Sequence, residues 1–132
     1  MKQKLSVVKI GGNLIEDAAV CKHVLGLFSK MDGNKILVHG GGNKATELAH
    51  QMGVESKMVN GRRITNAETL DIALMVYGGL YSKKIVANLQ SLGTDAIGMS
   101  GADANAILAH KRPKKNINFG FVGDVDMVNT YG

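Results

Sequence analysis

Cysteine, proline and tryptophan are almost missing from this chain, and each scarcity excludes something. A single cysteine, Cys21, cannot build a disulfide framework or a cysteine-rich metal centre, and it fits a reducing cytoplasm as the expected location. With no tryptophan, three phenylalanines and three tyrosines, there is little to stack on bases. The longest apolar run, over 72–81, is half of the ~20 residues a membrane-spanning helix needs. No secretory leader pattern is expected, because Lys9, Gly11 and Gly12 interrupt the apolar residues near the start. Acidic residues are outnumbered, giving a net charge of +5, but Lys111, Arg112, Lys114 and Lys115 supply four of those five charges. A nucleic-acid binder would spread basic residues over a face. Neither nucleic acid nor membrane is therefore expected as a partner. The four histidines show no metal-ligand spacing, Asp103, Asp124 and Asp126 are too sparse for a calcium loop, and no metal site is expected. A nucleophile elbow fails because Ala102 stands where G-x-S-x-G needs its last glycine.

Glycine, by contrast, is abundant, with 17 residues, and five of them make up two turns. Lys9-Ile10-Gly11-Gly12-Asn13 and His39-Gly40-Gly41-Gly42-Asn43 each follow a short apolar run that reads as a strand and lead into helical spacing. Asn13 with Glu16 fits a capping box starting a helix at Leu14, with Val20, Val24, Leu27, Phe28 and Met31 as its buried stripe. A second strand over 35–39 and a helix over 43–52 ended by Gly53 follow. Strand, helix, strand, helix predicts parallel pairing. Asn60-Gly61 between two short β-prone pieces predicts a hairpin. Thr65 with Glu68 then fits a capping box for the longest helix, over 66–92, with Gly78-Gly79 at its middle. Glycine there implies that something packs close to the backbone, and the apolar run around it predicts a homodimer. A third strand is expected over 96–100, and a strand over 105–110 paired with 120–128 across the basic loop. The fold class is α/β: a three-layer αβα sandwich with a mainly parallel central sheet plus β-hairpins.

At the carboxyl ends of parallel strands, both glycine turns lie where open α/β folds bind ligands. Glycine lets the backbone approach a ligand, and the free N–H groups of the following helix attract anions. The sequence from Gly40 to Ala45 fits G-x-G-x-x-[GA], but Asn60-Gly61-Arg62-Arg63 stands where a dinucleotide fold wants an acid, and the Walker pattern is absent. Lys9, beside the first turn, reads either as a rim lysine with its head in water or as a cation for phosphoryl transfer. The glycine turns favour the second. Arg62 and Arg63 point to opposite faces, so only one can serve a given site; from the residues alone a solvated pair is the simpler account.

Val8-Lys9-Ile10-Gly11-Gly12, Val38-His39-Gly40-Gly41-Gly42, Asn60-Gly61-Arg62-Arg63-Ile64-Thr65, Lys83-Lys84-Ile85-Val86 and Gly120-Phe121-Val122-Gly123-Asp124-Val125, in that order, resemble the amino acid kinase family, in the branch that phosphorylates acetylglutamate. The resemblance implies transfer of a phosphoryl group from ATP, with Mg2+, to the side-chain carboxylate of N-acetyl-L-glutamate or another N-acylglutamate, a step of arginine biosynthesis. It implies that Lys9 stabilises the transferring phosphoryl group and that Gly11, Gly12 and Gly41 hold phosphate oxygens. Gly41 and Gly42 would contact the reacting carboxylate, and Arg63 the α-carboxylate. Ser82 stands where the family usually has asparagine. Residues 1–132 match only the acylglutamate-binding N-terminal lobe; the family's nucleotide-binding lobe, with a second catalytic lysine, an aspartate and an asparagine, is not within this chain, which is expected to be inactive alone. The alternative is a non-catalytic regulatory or amino-acid-binding module of the same fold.

Overall fold

A computed structural model describes residues 4–131. Two strands, β1 (Leu5–Ile10) and β2 (Asn34–His39), pair in parallel in a register running from Leu5 opposite Asn34 to Ile10 opposite His39. Their alternation decides the layers. Val8, Ile10 and Leu37 turn into the core, whereas Leu5, Val7, Ile36 and Val38 stay exposed on the other face.

Between the strands lie α1 (Gly12–Glu16) and α2 (Ala18–Ser29), separated by a break at Asp17. The break corrects the expected capping box. Asn13 does not cap α1, which starts from Gly11 without a side-chain cap; Asp17 caps α2, accepting from the N–H groups of Ala19 and Val20 at 3.0 Å each. A new helix axis changes the phase of the stripe. Cys21, Leu25 and Phe28 are buried, with Val24 and Met31 packed beside them, while Val20 and Leu27 of the expected stripe are exposed. After β2, α3 (Gly42–Gln51) buries Ala45 and Ala49.

The hairpin β3 (Met58–Val59) and β4 (Arg62–Arg63) turns at Asn60 and Gly61, both at positive φ (49° and 74°), as this dipeptide predicts. The long helix follows in three parts: α4 (Ala67–Ala73), a π-helical stretch over Leu74–Tyr81, and α5 (Ser82–Ser91). Asn66 caps α4, taking the Thr69 N–H at 2.8 Å, one residue later than the expected Thr65. Gly78 meets no neighbouring atom that a Cβ would touch, so among the described residues nothing packs close on the helix at that glycine, although Val76 and Tyr81 on its other side are buried.

The expected third strand over 96–100 does not form. That segment runs beside β2 and α5 without a ladder, and Ile97 is 82% exposed. Gly98 presses against the buried Ser82 side chain, so the segment packs on a helix instead of joining the sheet. Extended propensity makes a strand only where an edge accepts it. The later hairpin does form, as β5 (Ile107–Lys111) and β6 (Gly123–Val128), antiparallel with an irregularity between Leu108 and Ala109. It is tied to the head of α4 by Thr65, which donates to the Phe119 carbonyl at 2.9 Å and accepts from the Phe121 N–H at 2.7 Å. The architecture is thus mixed α/β, with a parallel central pair and two hairpins, and among the described residues no helix is long and apolar enough to cross a membrane.

Candidate anion-binding site

The two glycine turns meet. A Cβ added to Gly12 would lie 3.6 Å from the Gly41 nitrogen and 3.7 Å from that of Gly42. Parallel pairing with Ile10 opposite His39 makes this contact unavoidable, because both turns leave the sheet at the same level. Two helix beginnings, α1 and α3, therefore start side by side. The first N–H groups of a helix have no acceptor within it, so the junction offers several donors in a small space.

Side chains lock the junction. Asn43 donates to Asn13 Oδ1 at 2.9 Å and to Glu16 Oε2 at 3.2 Å, and Glu16 Oε1 accepts the Lys44 N–H at 3.2 Å. Glu16, expected to cap its own helix, instead places its carboxylate in the first turn of α3, where negative charge is favoured. Lys44 in turn pairs with Glu47 at 2.9 Å, and that bond raises the Lys44 ammonium above its ordinary value.

The arginines separate as strand geometry requires. Arg62 is exposed. Arg63 is half-buried and reaches the second turn, donating through Nη2 to the Gly42 carbonyl at 3.1 Å and to Thr46 Oγ1 at 2.7 Å, and through Nη1 to Ser56 Oγ. Gly12, Gly41, Gly42 and Arg63 are thereby brought together, with Gly11 adjacent in the chain. Lys9 stands on the exposed face of β1, opposite Val38 and two residues before Gly11, and makes no hydrogen bond or ion pair among the described residues.

Two contributors carry no motif. Gly41 (φ 158°, ψ 26°) lies under two tyrosine rings: a Cβ there would sit 2.7 Å from Tyr81 Cδ2 and 3.0 Å from Tyr77 Cδ1. Tyr81 is 6% exposed, and burial pushes its phenol up from the usual value, keeping it neutral. The signal available in sequence was the spacing, since two of three tyrosines lie four residues apart in the apolar run.

Elsewhere, Ser100 is engaged locally, donating from N–H and Oγ to Asp103 Oδ2 at 2.6 and 2.7 Å, which holds that carboxyl below its usual range. Among the described residues there is no group of three or more histidine, cysteine, aspartate or glutamate side chains able to hold a metal ion.

Comparison with known proteins shows the family and the fold. The model of the amino acid kinase family matches residues 4–131. An acetylglutamate kinase from Phocaeicola vulgatus is 57% identical over 129 residues, covering 98% of this chain and 50% of that protein. The chain therefore spans about half the length of the curated relatives it matches. The crystal structure of smu.665 from Streptococcus mutans UA159 superposes with a TM-score of 0.79 at 23% identity, covering 96% of this chain and 51% of that one. An N-acetylglutamate synthase from Neisseria gonorrhoeae, complexed with coenzyme A and N-acetyl-glutamate, superposes at 0.74 with 21% identity, over 96% of this chain and 29% of its own. These two likenesses establish the fold.

Proposed function

Because the chain belongs to the amino acid kinase family, we propose that it is the acylglutamate-binding lobe of an enzyme that phosphorylates the side-chain carboxylate of N-acetyl-L-glutamate or another N-acylglutamate with ATP. One observation carries this reading: two glycine turns at the ends of parallel strands touch, and an arginine is anchored on the second. Phosphoryl transfer asks little covalent work of a protein and much positioning of charge. In the proposed reaction a substrate carboxylate oxygen attacks the γ-phosphorus, the bond to the β-phosphate oxygen breaks, and an acyl phosphate and ADP leave. N–H groups of Gly11, Gly12 and Gly41 hold phosphate oxygens, those of Gly41 and Gly42 hold the reacting carboxylate, and Arg63 holds the α-carboxylate with the donors its present bonds leave over. Lys9 supplies a cation whose attraction grows as negative charge develops on the moving phosphoryl group.

Residues 1–132 form the substrate lobe in this reading, and ATP with Mg2+ is a substrate complex bound mainly by a second lobe corresponding to the other half of the relatives. The enzyme acts in the cytoplasm as a homodimer. Leu74 and Met75, exposed beside the uncovered Gly78, form the face on which a second copy can bring its helix close.

The test joins residues 1–132 to the C-terminal half of the Phocaeicola vulgatus kinase. The joined protein should release ADP only when ATP and N-acetylglutamate are both present, and the 132-residue chain alone should not. Lys9→Ala should lower kcat by about 10²-fold or more while leaving the KM for N-acetylglutamate little changed. Unchanged turnover would deny Lys9 a catalytic duty, and no ADP release from the unsubstituted joined protein would favour a non-catalytic binding module. Sedimentation of the joined protein should give a dimer that Leu74→Glu dissociates.

A further inference from the structure

The π-helical stretch has a purpose in the phase of the helix. From Ile72 at the end of α4 the buried residues run to Val76 and Tyr81, a step of four and then of five, before Ser82, Ile85 and Leu89 resume α spacing. An uninterrupted α-helix would turn position 80 inward after 76; the wider turns bring Tyr81 in and leave Leu80 partly exposed. Tyr81 is thus delivered against Gly41, with Tyr77, one turn earlier, beside it.

The two tyrosines differ in what they can do. Tyr81 is enclosed and acts as packing under the turn. Tyr77 is 36% exposed, makes no hydrogen bond among the described residues, and its Oη lies 4.0 Å from where a Cβ on Gly42 would be. On the proposed reading, the glycine N–H groups take the reacting carboxylate and Arg63 the α-carboxylate. An N-acylglutamate has one polar group left, its acyl amide, and Tyr77 offers a partly exposed polar side chain, without a hydrogen bond among the described residues, that borders the second turn.

We infer that Tyr77 is a specificity-determining residue for the acyl group, its ring forming a wall of the acyl subsite and its hydroxyl donating to the acyl carbonyl, with Tyr81 the positioning residue that holds the wall against Gly41. This rests on the acylglutamate reading and deepens it. The subsite would take short acyl groups whose carbonyl reaches the phenol and whose alkyl part packs on the ring face.

The experiment uses the joined protein and its Tyr77→Phe and Tyr77→Ala variants with N-acetyl-, N-propionyl- and N-butyryl-glutamate. Tyr77→Phe should raise the KM for N-acetylglutamate about five- to tenfold, the scale of one neutral hydrogen bond, with kcat and the KM for ATP unchanged. Tyr77→Ala should shift the ratio of kcat/KM toward the longer acyl groups by about tenfold. A packing-only role would move thermal stability but neither ratio. Binding is read separately: residues 1–132 carry no tryptophan, and the tyrosine ultraviolet difference spectrum on adding N-acetylglutamate should change on the joined protein and lose most of its amplitude in Tyr77→Phe. Spectral binding without turnover would defeat the kinase reading and leave Tyr77 in place. Turnover with equal KM values and an unchanged acyl ratio in the variants would overturn the inference alone. Neither binding nor turnover would overturn both.

Discussion

The glycine junction and the β5–β6 hairpin are held in opposite ways. Around the junction, Ile10, Ile15, Ala45, Val76 and Tyr81 are buried, and the polar groups that remain, Asn13, Asn43, Glu16 and Arg63, bond one another or the backbone across long stretches of chain. The hairpin has no buried residue. Ile107, Leu108, Val125, Met127 and Val128 all face solvent, and its side-chain ties are one exposed pair, His110 with Asp126 at 2.6 Å, and one half-buried pair, Arg112 with Asp124. Even its basic character is partly spent within it, since Arg112 is committed to Asp124 and Lys111 lies over the Phe121 ring at 5.1 Å. A region that must present donors at fixed positions is thus built on burial and cross-links. A region with none of that duty rests on pairs at or near the surface, which contribute little.

The contrast can be broken in graded steps. Leu25→Ala, which empties a fully buried site on α2, should cost about 3 kcal/mol, while Val125→Ala on the hairpin should stay within about 0.5 kcal/mol, both read by denaturant unfolding. Equal costs would erase the distinction. Gly41→Ala forces a methyl into two tyrosine rings and should destabilise by about 2 kcal/mol; adding Tyr81→Leu should recover part of that loss, and a purely additive double variant would deny the contact. Glu16→Ala should cost about 1 kcal/mol by releasing the first turn of α3, with faster amide exchange at Lys44 as the local reading.

The smallest effect concerns pH. The Arg112 guanidinium holds Asp124 below its usual carboxylate range. A carboxyl depressed in the folded state adds stability that is full above its unfolded value, near 4, and is lost as pH falls through the folded value. Acidification should therefore loosen the hairpin slightly before the junction, and Asp124→Asn should remove that early step from a pH series of hairpin amide signals.

Much of the junction was legible because each of its parts is local. Apolar runs ending in Gly11-Gly12 and Gly40-Gly41-Gly42 specify strand, bend and helix within a few residues, and Asn60-Gly61 specifies its own turn. Departures arose where a neighbouring residue competed. Asp17 stands four residues after Asn13 and Asn66 one residue after Thr65; in each case the later residue became the cap. Glu16 matched a local pattern yet serves another helix, which only the parallel register explains. Residues 96–100 have extended propensity, but the contact of Gly98 with Ser82 was decided by packing between distant segments. The π-helical stretch left no local mark, because its register comes from fitting Val76 and Tyr81 into one core.

The uncovered side of the parallel pair has a practical consequence. Leu5, Val7, Ile36 and Val38 make a greasy plate on a chain of only 132 residues, and a plate of that kind is where molecules stick to one another. Handled by itself, this polypeptide should cluster as its concentration or the level of a salting-out salt rises, and a single glutamate at position 7 should keep it dispersed in light scattering.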